Sequence, residues 1–91
     1  MSKEKNKVGV VTHYFDKIGV AIVMFEGNVK IGDQLVFRGV RGESHEPFES
    51  DQEVVSMQKD HEDATEAKKG DELGLKIKAS VKEGDEVFKK D

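Results

Sequence analysis

The sequence has no cysteine, no tryptophan, one proline and few aromatic residues. Without cysteine there is no disulfide scaffold, no thiol nucleophile and no thiolate metal site, which fits a reducing compartment. Long apolar runs are also missing. No stretch approaches the ~18 apolar residues of a membrane-spanning helix. Met1–Lys7 is polar and lysine-rich, with no apolar run of a signal peptide behind it. A soluble, cytoplasmic protein with no membrane association is therefore expected. Positive charge is in short supply too: 15 Lys and Arg face 19 Asp and Glu, a net charge of −4. Proteins that coat phosphate backbones show the opposite balance. No Gly-x-x-x-x-Gly-Lys-Ser/Thr phosphate loop is present, so no bound nucleotide is expected.

What the chain does contain is one short phrase, repeated. Val29-Lys-Ile-Gly-Asp-Gln-Leu-Val36 returns as Ala67-Lys-Lys-Gly-Asp-Glu-Leu73 and as Val81-Lys-Glu-Gly-Asp-Glu-Val87. Glycine accepts the positive φ of a tight turn, and aspartate can bond nearby backbone while the chain reverses. Gly32, Asp33, Gly70, Asp71, Gly84 and Asp85 thus read as structural turns, each delivering the chain into a strand.

At 91 residues the chain has room for a single core. Residues 1–7 read as a flexible N-terminal arm and 8–91 as one domain. Val8–Tyr14 and Ile18–Phe25 have strand composition, and the second is apolar on both faces, as a strand covered on each side would be. Gln34–Arg38 is expected as a third strand. Gly39–Glu53, with Pro47 and many charges, reads as an exposed, mobile loop. Glu53–Lys59 gives a fourth strand, and 60–69 a loop or one helical turn. Leu73–Ala79 alternates cleanly, Leu73, Leu75, Ile77 and Ala79 against Gly74, Lys76 and Lys78. Glu86–Lys90 ends the series. Short strands, polar turns and no long helical period predict an all-β protein: a small closed antiparallel barrel of about six strands.

Taken in order, the three Gly-Asp phrases with Val55-Ser-Met57 resemble the β-barrel second domain of the translational GTPases, found in elongation factor Tu and initiation factor two. Val11-Thr-His-Tyr-Phe-Asp-Lys-Ile-Gly-Val20 is closer still to small stand-alone proteins termed translation elongation factor-like. It is also similar to the C-terminal barrel of some collagenase-like peptidases. The resemblance implies a non-catalytic binding module whose partner is RNA or the translation machinery. Its peptidase side implies a protein-interaction accessory domain working with a separate enzyme. Two departures stand against a direct transfer: the phosphate loop is absent, and Thr12–Lys17 is longer than the corresponding connection in elongation factor Tu.

The densest cluster of interaction-capable side chains is His13, Tyr14, Phe15 and Lys17. An aromatic there could stack on a base while Lys17 meets a phosphate, as in single-strand-binding barrels. Alternatively, one aromatic plugs the end of the fold and the rest is solvated. Lys68, Lys69, Lys76, Lys78, Lys89 and Lys90 gather into a basic face or alternate with acids. His13, His45 and His61 lie far apart without ligand spacing, and only Asp60-His-Glu-Asp63 offers a cation site on paper. Ser44, Ser50, Ser56 and Ser80 lack a nucleophile-elbow context. No enzyme activity, cofactor or metal is expected.

Overall fold

The computed structural model describes residues 6–59 and 62–90. It is all-β, and among the described residues the strands in chain order are β1 (Asn6–Phe15), β2 (Val20–Phe25), β3 (Val29–Lys30), β4 (Gln34–Arg41), β5 (Glu46–Glu53), β6 (Met57–Lys59), β7 (Glu62–Ala64), β8 (Glu66–Ala67), β9 (Glu72–Lys76) and β10 (Glu86–Lys89). Eight of them form one sheet in the order β5-β4-β10-β1-β2-β9-β6-β7, and β3 pairs with β8 in a separate ribbon. Every pairing is antiparallel.

The three Gly-Asp phrases fold into one module. In each, the aspartate N–H donates to the lysine carbonyl three residues back (Asp33 to Lys30, 3.0 Å; Asp71 to Lys68, 2.9 Å; Asp85 to Lys82, 3.1 Å). The same lysine's N–H donates to the aspartate carboxylate, at 2.9, 3.0 and 2.9 Å. Gly32, Gly70 and Gly84 hold φ of 95°, 93° and 94°, the value a type II turn requires at its third position. Each module then grips one buried residue elsewhere in the chain. The Gly32 N–H donates to the Val54 carbonyl (2.8 Å), and the Val54 N–H donates to the Asp33 carbonyl (2.9 Å). Gly70 and Asp71 hold Phe25 in this way at 2.8 and 2.7 Å, and Gly84 with Asp85 holds Val11 at 2.8 Å in both bonds.

These grips bear on the predicted closed barrel. The hydrogen-bonded order ends at β5 on one side and β7 on the other, and no pairing among the described residues joins them. Backbone groups that a continuous ladder would use, as at Val54, are taken by turns instead. The sheet curls over its core without closing, and its smallest dimension of 20 Å fits two facing layers about 10 Å apart. Phe25, Leu35, Phe37, Met57, Leu73, Leu75 and Val87 fill the space between, joined by Val29 and Ala67 of the small ribbon. Burial there is the main stabilising term, at ~25 cal/mol per Å² of apolar surface.

Other expectations shift. β1 begins at Asn6, so the last two residues of the expected arm pair with β10; residues 1–5 lie outside the described residues. Gly39–Glu53 is not a loose excursion. β4 and β5 pair without a slip from Gln34↔Glu53 to Arg41↔Glu46, around a turn where Gly42 and His45 take positive φ. Pro47 is tolerated because β5 is the edge strand, where a missing N–H costs the sheet nothing. The expected loop or helical turn at 60–69 contains β7 and β8, and Asp60 and His61 fall outside the described residues. Leu73, Leu75 and Ile77 are buried while Lys76 and Lys78 are exposed, as the alternation requires.

Candidate interaction face

β1 and β2 pair with one irregularity. Val11 faces Val23, and the next pair is His13 with Ile22, so Thr12 is an extra residue in β1. The bulge reverses which side chains point inward. Tyr14, opposite Ala21, packs against the core, whereas His13 and Phe15 stand outside, beside Ile22 and Val20. The connection that follows is a turn over 16–19, closed by bonds from the Ile18 and Gly19 N–H groups to the Phe15 carbonyl (3.3 and 2.9 Å). Gly19, at φ 67°, allows the reversal and Ile18 is pushed into solvent.

The outward face of β2 consists of Val20, Ile22 and Met24. Sequence composition predicts cover on both sides of this strand, but only Ala21, Val23 and Phe25 are buried in the core. No layer of the described chain covers the other side. Phe15 is 49% exposed and Ile18 58%, so the apolar side chains continue from the strand onto the turn. Between them lies a groove of about 360 Å³ lined by Phe15, Ile18, Val20, Ile22, Gln58 and Glu72, with Gly74 beneath. A Cβ at Gly74 would come within 3.1 Å of Val20 Cγ1 and 3.3 Å of Ile22 Cδ1, so a side chain there would crowd both. The groove continues past Ser56 and Lys76 along β9.

Polar groups at the rim are already oriented. Thr12 Oγ1 donates to Glu72 Oε2 (2.8 Å), and Lys76 Nζ donates to the Ile18 carbonyl (3.0 Å). The Gln58 amide nitrogen donates to Asp63 Oδ1 at 3.3 Å. His13 stacks loosely on Phe15, with ring centroids 6.3 Å apart, and meets Glu83 at 3.2 Å.

Of the side chains singled out in the sequence, then, His13 and Phe15 share the outer face, Tyr14 is directed to the core, and Lys17 is exposed in the turn. Ile18, Val20, Ile22, Gly74, Gln58 and Glu72 complete the groove and were not anticipated. Their signal was a strand apolar on both faces paired with one whose outward position is glycine.

The turn residues separate by their partners. Asp85 is the buried one, with 6% of its side chain exposed, and it meets Arg41 through two bonds (Nη1 to Oδ1, 3.1 Å; Nη2 to Oδ2, 2.7 Å). The paired carboxylate raises the Arg41 pKa, with burial opposing. Arg41 also lies 4.1 Å over the Phe48 ring, tying the β4–β5 hairpin to the third turn. Gly39 leaves the room: a Cβ there would lie 2.8 Å from Asp85 Cγ. Asp33 sits between Lys30 and Lys89. Burial pushes its carboxyl pKa up, but the Lys30 N–H and the Lys89 ammonium together hold it below the usual value. For Asp71 the Lys68 N–H and then Lys59 lower it.

Several lysines are tied to partners in the structure. Lys59, Lys89 and Lys90 pair with Asp71, Asp33 and Asp51, and Lys76 caps a backbone carbonyl. Among the described residues no group of acids and histidines could hold a metal ion, and the Asp60–Asp63 cluster lies partly outside them. Among the described residues no helix is long and apolar enough to cross a membrane.

Among the described residues, then, the open all-β sheet leaves one apolar face uncovered. The fold matches two crystal structures, one of them with selenomethionine, of the C-terminal domain of a candidate U32 peptidase from Geobacillus thermoleovorans. The TM-scores are 0.76 and 0.75 at 18% and 19% identity, covering 99% and 92% of this chain and 100% and 99% of that domain. In sequence, the chain is 34% identical over 84 residues to an uncharacterised protease of Methanocaldococcus jannaschii. Those residues are 92% of this chain and 19% of the protease, so the chain spans about a fifth of that relative. No family model matches. The peptidase side of the expected resemblance is thereby supported, and the translation-factor side, with its RNA or ribosomal partner, is not.

Proposed function

We propose that this chain is a non-catalytic accessory domain that docks on the catalytic part of a U32-type peptidase through the outer face of β1, β2 and β9. The observation that carries this reading is the uncovered apolar face itself. Phe15, Ile18, Val20, Ile22 and Met24 lie outward on the central strands of the sheet and on the adjoining turn. A contiguous apolar patch with a polar rim is what interaction surfaces present. The likeness to a peptidase's C-terminal domain, and to a fifth of a larger protease, supplies the kind of neighbour. In this reading the domain acts by binding and placement.

Affinity capture from the source cells, with the bound proteins identified by mass spectrometry, tests the reading. A peptidase-type protein should be retained by the full chain and lost with Ile18→Asp, a change at an exposed turn position that leaves the core intact. Retention of ribosomal components or tRNA in its place would overturn the assignment. So would capture unaffected by Ile18→Asp.

A further inference from the structure

The groove has a polarity that the docking proposal does not use, and it defines the segment that fits. Glu72, Gly74 and Lys76 are alternate residues of β9 and share its outward face. A carboxylate residue therefore stands two positions to one side of Gly74 and a lysine two positions to the other, their backbones about 13 Å apart along the strand. Both groups are held in place while keeping capacity to bond further. Glu72 accepts only from Thr12 among the bonds described, and a carboxylate has room for several donors. Lys76 uses one of its three ammonium hydrogens on the Ile18 carbonyl. Over Gly74 lies the apolar groove, walled by Phe15, Ile18, Val20 and Ile22.

An extended polypeptide laid along β9 presents every second side chain to this face with the same ~3.3 Å rise per residue. Resting on the docking reading above, we propose that the groove receives an extended segment of the protein partner with the pattern cation–x–apolar–x–anion. The cationic side chain meets Glu72, a leucine-sized side chain enters the groove against Phe15, Ile18, Val20 and Ile22, and the carboxylate meets Lys76. The mixed signs decide against a uniformly basic or acidic partner, because either would place like charges together at one end. The apolar insertion supplies most of the affinity and the flanking charges set direction, as exposed ion pairs are weak individually.

The test is NMR titration of the full chain with acetyl-Arg-Ser-Leu-Ser-Asp-amide. Amide signals of residues 13–22 and 72–76 should shift and saturate. The peptide with aspartate at both ends should bind about three-fold more weakly, the effect of one exposed charge pair. With serine replacing leucine, binding should be lost. Glu72→Lys should invert the order of the first two peptides while leaving the rest of the spectrum in place. Equal affinity for all three peptides, shifts confined to other residues, or an unchanged order with Glu72→Lys would each overturn the proposed pattern. If the titration fails while capture of a peptidase-type protein remains sensitive to Ile18→Asp, the pattern falls and the docking face stands. If capture is insensitive as well, both fall.

Discussion

The first and third Gly-Asp turns have the same backbone and different lives. Both bond lysine to aspartate in both directions, both hold glycine near φ 95°, and both grip a buried valine. At the first, Asp33 is shared by two exposed or half-exposed lysines 3.4 Å away. At the third, Asp85 is sealed beneath the β4–β5 hairpin and clamped by Arg41. Local sequence is enough to set the turn. What the carboxylate then contributes depends on the strand that passes over it, and no local motif records that. Energetically, an exposed pair is worth little, whereas removing one member of a buried pair strands the other.

The comparison can be broken most directly at the aspartates. Asp85→Ala should destabilise the fold by about 3 kcal/mol, since Arg41 loses its bidentate partner beneath the hairpin. Asp33→Ala should cost about 1 kcal/mol, the size of its backbone bond. Chemical denaturation of the two variants measures both, and equal losses would show the burial of Asp85 to be without consequence. Between the two lies Gly39→Ala, at about 2 kcal/mol, because the new methyl meets the Asp85 carboxyl and Arg41 Nη1. An undiminished midpoint for that variant would mean the clamp can shift to make room.

The glycines sharpen the same contrast from the other side. Nothing lies within 4 Å of a Cβ built on Gly32, Gly70 or Gly84, so substitution there meets only backbone strain. Each change to alanine should cost roughly 1 kcal/mol, and the three costs should agree, in contrast to the aspartates. Acid should separate the turns more gently. Asp33 and Asp71 have folded pKa values below their unfolded ones, so their contribution is fully present above about pH 4 and is lost as pH falls through the lower folded values. Asn in place of both should flatten the fall in denaturation midpoint between pH 4 and 2; an unaltered slope would refute the assignment. The smallest effect belongs to Glu83→Gln, whose contact with His13 is exposed on both sides and should change stability by less than about 0.5 kcal/mol.

How much of this was legible in the chain follows from the range of the forces involved. The turns were readable because glycine and aspartate act within four residues. The alternation of Leu73, Leu75 and Ile77 was readable because one face of β9 is in the core and the other carries Lys76. The β4–β5 hairpin was not, since its outer strand is mostly charged and is held by ladder bonds, by Arg41 and by a single aromatic, Phe48. Nor was the failure to close, which depends on where the turns of one segment take up the backbone groups of another. Apolar residues on both faces of β2 looked like double cover. The same pattern serves a strand covered by its own chain and one covered by a partner, and here the described residues supply only one layer. The sequence groups His13, Tyr14, Phe15 and Lys17 as one cluster without saying which aromatic faces out; Tyr14 faces the core, and His13 and Phe15 stand outside.

Thr12 gives that strand its parity. Along β1 the odd-numbered Val11 is inside and, two residues on, the odd-numbered His13 is outside; a single inserted residue exchanges the meaning of odd and even for everything downstream. Were Thr12 instead to take a regular place opposite Ile22, Tyr14 and Phe15 would trade sides. A phenol would stand at the edge of the groove, and a benzyl group would enter the core where the tyrosine now packs. A one-residue slip of the pairing at this point would therefore act as a frame-shift in three dimensions, rewriting the recognition surface without altering any letter of the chain.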